Sequence, residues 1–148
     1  MRLLDTVGQL SGRRIDRVDE TLNQWVQGTL ETENLPWSDW LYQERYRFLS
    51  NLPDNTPASR MAELDKAWSI NATGNNEVLF AWLEQCIRSG HQPAYDRLET
   101  FLVHVGRRKF LTPLYRAMLE TNQGDMALSI YEKARPNYHS VALSLIHI

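Results

Sequence analysis

Along this chain apolar residues recur at steps of three and four almost everywhere, the spacing that places them on one face of an α-helix. Ile15, Val18, Leu22, Trp25, Val26 and Leu30 form the first such stripe, and Gly28 marks where that helix frays or ends. After Leu35-Pro36, Ser38 is placed to cap a second helix lined by Trp37, Leu41, Phe48, Leu49 and Leu52, with Glu44, Arg45 and Arg47 as its charged surface. Thr56-Pro57 starts a third, because proline's fixed φ suits the first helical position; Met61, Leu64, Ala67 and Trp68 form its buried stripe. The longest polar stretch, 69–76, carries Gly74 as a breaker.

A fourth helix is predicted over 77–89, with Val78, Leu79, Trp82, Leu83, Cys86 and Ile87 making a face wide enough to touch neighbours on two sides. Gly90 closes it. Pro93 opens a fifth helix bearing Ala94, Leu98, Phe101, Leu102 and Val105, closed by Gly106. Thr112-Pro113 starts a sixth with Leu114, Met118 and Leu119 inward. Asp125 caps a seventh with Met126, Ile130 and Ala134, which stops before Pro136. The apolar end, 141–148, reads as a last helical turn packed on the domain in preference to a tail. No segment alternates with period two, so strands are not expected. The fold class is all-α: seven to eight short helices stacked as αα-hairpins in an armadillo-like α-α superhelix.

The 148 residues, 43% of them hydrophobic, fit a single α-helical domain over 1–148. A net charge of −2 with mixed signs creates no field that would attract nucleic acid. No apolar run approaches the roughly 18 residues that span a bilayer. Asp5 interrupts Met1-Arg2-Leu3-Leu4 before a signal-peptide core can form, so a cytoplasmic location is expected. Cys86 is the only cysteine, which excludes an internal disulfide; on a helix's apolar face it reads as a buried, inert thiol.

Candidate chemistry is sparse. A zinc-peptidase site needs two histidines four apart on a helix with a glutamate beside them. His91, His104, His139 and His147 contain no such pair, and they read as surface or interface histidines. There is no G-x-S-x-G elbow, and the seven glycines are scattered as caps rather than gathered in a phosphate loop. No catalytic residue and no metal ligand is assigned. Asn71-Ala72-Thr73 matches a glycosylation acceptor, a triplet that recurs by chance.

One cluster stands out: Gly106-Arg107-Arg108-Lys109-Phe110. Two explanations stay open on spacing alone. Cations after a helix C-terminus complement the negative end of its macrodipole, worth about 0.3–1 kcal/mol. Alternatively, a guanidinium fork beside an ammonium suits a carboxylate or phosphate.

The stretch Trp68-Ser69-Ile70-Asn71-Ala72-Thr73-Gly74-Asn75-Asn76-Glu77-Val78, continuing to Phe80, Trp82-Leu83 and Cys86-Ile87, resembles the C-terminal domain of leukotriene A4 hydrolase and related aminopeptidases. Gly106-Arg107-Arg108-Lys109-Phe110-Leu111-Thr112-Pro113-Leu114-Tyr115 resembles that family's Gly-Arg-x-Lys-Phe-x-x-Pro-Leu-Phe/Tyr segment. Residues 127–131, then Tyr138-His139 and Val141, resemble its closing helix and His-Pro-Val ending, with Ser140 in place of the usual proline. The likeness covers about 14–145 and is strongest from Trp68 onward.

The resemblance implies a non-catalytic helical domain that helps to shape a substrate cleft beside a thermolysin-like catalytic domain of the same polypeptide. It implies that zinc, its ligands and the catalytic glutamate belong to that other domain, and that this chain alone is not an enzyme. It also implies that Arg107 and Lys109 bind the free carboxylate of short peptide substrates, whereas Arg108 matches no functional position. A free-standing α-helical scaffold for protein partners is the rival expectation.

Overall fold

The computed structural model describes residues 12–138. The expected turn over 141–148, His139, His147 and the first residues lie outside that range. Among the described residues seven α-helices follow in order: α1 (Gly12–Gln27), α2 (Tyr42–Ser50), α3 (Ala58–Trp68), α4 (Asn76–Ser89), α5 (Tyr95–His104), α6 (Arg108–Glu120) and α7 (Gly124–Ala134). Single 3₁₀ turns punctuate the connections, and no strand occurs among the described residues.

α4 is the axis of the packing. Asn75 caps it by accepting the Val78 N–H at 3.0 Å, as expected of a short polar side chain at that position. At its other end Gly90 turns left-handed at φ +75°, and the His91 N–H closes on the Cys86 carbonyl at 2.9 Å. Nine of its residues are buried, including Phe80, Ala81 and Gln85 beyond the predicted face. A helix apolar nearly all round must be enclosed by neighbours. α2 and α6 both pack on α4, with α3 and α5 also in contact. α1 packs on α2, and α7 on both α5 and α6.

Several sequence expectations need correction. Ser38 caps no helix; Trp37–Asp39 is a 3₁₀ turn and α2 begins only at Tyr42. Trp37 is still buried, against Phe48 and Trp40, whereas Leu41 is exposed. Val26 and Leu119 are exposed as well, each at the edge of its stripe. Glu44 belongs to no charged surface. Its carboxylate is buried, takes the Arg14 guanidinium on both oxygens at 2.6 and 3.1 Å, and accepts the Leu41 N–H at 2.9 Å. Arg47 likewise reaches across to Asp19 on α1 with two bonds, at 2.9 and 3.0 Å. Glu44 and Arg47 thus stitch α2 to α1, while Arg45 donates to the Trp37 carbonyl at 3.0 Å.

The sixth helix starts at Arg108, five residues before Pro113, which sits inside it. The Phe110 and Leu111 side chains are both buried, and helical geometry from Arg108 is what turns them inward. That gain offsets the one helical hydrogen bond that proline cannot make. The seventh starts at Gly124, with Asp125 in its first turn rather than at its cap.

Candidate functional site

The basic cluster forms the turn from α5 into α6. α5 ends as the Val105 N–H bonds the Phe101 carbonyl at 2.8 Å. Asn137, just beyond α7, holds the same connection by donating to the Val103 carbonyl at 3.0 Å. Arg107 has extended backbone and is the cap of α6: its carbonyl accepts the N–H groups of Phe110 and Leu111 at 3.0 and 3.1 Å. Arg108 and Lys109 are therefore the first two residues of α6.

This placement sets a second helix end beside the one the dipole explanation invoked, because α5 closes at His104 and α6 opens at Arg108. The three cations stand at the positive end of α6, where no acidic residue occupies the first turn. Positive charge is unfavourable there, and the exposed N–H groups add to an environment that suits an anion. The cause is the early start of α6, which converts the end of one helix into the beginning of the next.

Phe110 organises the two candidate side chains. It is buried between Phe80 and Phe101, with ring centroids 5.2 and 5.5 Å away. The Arg107 guanidinium carbon lies 5.6 Å from its centroid and the Lys109 Nζ 5.0 Å. Both cations thus attach to one immobile ring, within the range of cation–π attraction. The structure brings Arg107 and Lys109 together in this sense.

Their partners differ. Lys109 Nζ is 2.5 Å from Glu77 Oε1, an ion pair joining the first turns of α6 and α4. Arg107 is exposed and, among the described residues, has the Phe110 ring as its contact and no hydrogen bond or ion pair. Arg108 is exposed too. Glu77 was part of the matched stretch, but its pairing across 32 residues leaves no local signal in the sequence.

The remaining candidates are placed as follows. Cys86 is fully buried, and burial pushes its thiol well above the ordinary range, as an inert structural thiol requires. His91, expected at the surface or an interface, is buried in the core edge-on against Trp82 at 5.8 Å, and burial pulls its pKa down. The turn after Gly90 folds it back under α4. His104 is exposed and its Nδ1 lies 2.9 Å from the Thr100 carbonyl. Among the described residues no group of three or more His, Cys, Asp or Glu is arranged to hold a metal ion. No helix there is long and apolar enough to cross a membrane.

The family described as leukotriene A4 hydrolase, C-terminal, matches residues 40–147. The chain belongs to that family. Among its relatives, leucine aminopeptidase 2 of Pyricularia oryzae is 25% identical over 126 residues, covering 83% of this chain and 20% of the relative. Leucine aminopeptidase 2-1 of Meyerozyma guilliermondii is 38% identical over 92 residues, 62% of this chain and 14% of the relative. Leukotriene A-4 hydrolase of Xenopus laevis is 28% identical over 91 residues, 61% of this chain and 15% of the relative. The leukotriene A4 hydrolase C-terminal domain described here thus spans a fifth or less of the length of these relatives.

Proposed function

We propose that this chain serves as the non-catalytic helical domain of a zinc aminopeptidase, shaping the substrate cleft and binding the C-terminal carboxylate of short peptides through Arg107 and Lys109. The observation that carries it is the Arg107 guanidinium, held against a buried ring at the positive end of α6 with no anion of the described residues engaged. A guanidinium takes a carboxylate through two parallel hydrogen bonds, and the helix's own N–H groups add to the attraction. Lys109 supplies a second positive charge close by. The relatives named leucine aminopeptidases point to peptide chemistry. Among the described residues no group is arranged for a zinc ion, and the proposal assigns the metal and its bond-breaking chemistry to a catalytic domain joined to this one.

Two experiments test the proposal. The chain alone should take up no stoichiometric zinc by elemental analysis and should hydrolyse no aminoacyl chromogenic substrate. One tightly held zinc per chain, with activity lost on chelation, would contradict it. In the polypeptide that joins the chain to its catalytic domain, Arg107→Lys should restore only part of the tripeptide kcat/KM lost in Arg107→Ala, because an ammonium cannot reproduce the fork. Full recovery with lysine would mean that a point charge suffices and the two-bond geometry is wrong.

A further inference from the structure

The first turns of α4 and α6 meet at one corner, and Glu77 is the acidic residue those two turns contain. Its carboxylate is half-exposed, as is the Lys109 ammonium it pairs with at 2.5 Å. The corner therefore gathers two helix N-termini, Arg107, Arg108 and Lys109, against one carboxylate of the protein's own. That carboxylate is the same chemical group as the ligand assigned to the site above.

We propose that Glu77 is a built-in competitor of the peptide carboxylate. It occupies Lys109, so that an incoming carboxylate is met by Arg107 and gains Lys109 only by sharing or displacing Glu77. The proposal rests on the carboxylate reading of Arg107. A tethered group acts at an effective concentration on the order of millimolar, so dilute peptide does not displace it, and affinity is held below what two free cations would give. Glu77 also has a plain structural role, placing negative charge at the start of α4, where the dipole favours it. The two roles separate cleanly, because a structural role alone makes no demand on what Lys109 does for a ligand.

The test is an NMR titration of the polypeptide that joins this chain to its catalytic domain with acetyl-triglycine and with its C-terminal amide, following the backbone amides of 107–111. Wild type, Arg107→Ala, Glu77→Gln, Lys109→Ala and the Glu77→Gln/Lys109→Ala double variant are compared. Glu77→Gln, which keeps the side chain's size, should tighten acetyl-triglycine by about twofold to fivefold, the scale of an exposed ion pair. Lys109→Ala should weaken binding less in the wild-type background, where Glu77 already draws on the ammonium, than in the Glu77→Gln background, where it should abolish the gain. Unchanged affinity in Glu77→Gln, or an equal loss from Lys109→Ala in both backgrounds, overturns the competition while leaving Arg107 as the carboxylate's partner. If the acid and the amide behave alike in wild type and in Glu77→Gln, binding equally or not at all, the carboxylate reading fails and the competition falls with it.

Discussion

Trp82 is sealed from solvent, yet its indole N–H still reaches the Asn71 side-chain oxygen at 3.0 Å. Trp82→Ala removes a large buried ring and leaves a cavity, so unfolding should become easier by about 3–5 kcal/mol in denaturant melts. A midpoint near the parent's would mean the ring is not in the core. Beside it, His91 gives the fold a pH dependence. Burial lowers its pKa in the folded state, opposed in part by the charge of Asp65. The unfolded chain therefore takes the proton at the higher pH. The stabilisation is complete above the unfolded value of about 6.5 and is lost as pH falls through the folded value. The urea midpoint of the parent should drop between about pH 7.5 and pH 5 more steeply than that of His91→Gln; parallel curves would show that His91 does not contribute. Single residues were where the sequence was least legible. Glu44 and His91 are polar types that usually face water, and what buries them is a partner on another element: Arg14 from α1, and the Trp82 ring across the turn.

At the scale of elements, helix ends marked by local chemistry could be read and those fixed by packing could not. Gly90 ends α4 because its φ of +75° is open to glycine and strained for other residues. A Cβ there would meet nothing within 4 Å, so Gly90→Ala should cost about 1 kcal/mol through backbone conformation alone. Gly74 has equally open space without a positive φ, and Gly74→Ala should leave the melting midpoint unchanged. Equal effects at the two positions would remove the left-handed cap from the account of α4. The start of α6 is the opposite case. Thr112-Pro113 is a good start signal in isolation, but the burial of Phe110 and Leu111 decides the helix boundary. That single shift changes the meaning of the basic cluster, from the close of α5 to the opening of α6.

Across the whole molecule, the all-helical architecture was legible because every segment carries the same three-and-four spacing, and the widest apolar face belongs to the helix that turns out to be central. The family was legible too, from residues that mostly serve the fold: Trp82 and Asn71 are bonded to one another, Cys86 lies in the core, and Phe110 anchors the basic turn. Arg107 and Lys109 could be named from the resemblance, but their common platform and the Glu77 pairing depend on residues about thirty positions apart. The central claim concerns Arg107, and it is tested most directly in the polypeptide that joins this domain to its catalytic domain. The measurement is kcat/KM for a tripeptide and for an uncharged aminoacyl anilide, in wild type and in Arg107→Ala. Losing one partner of a charge pair in a closed cleft should lower the tripeptide value by more than about tenfold, while the anilide, which has no carboxylate to hold, should be affected far less. An equal loss on both substrates would contradict the account, and Arg107 would then be a residue of the fold or of the domain interface.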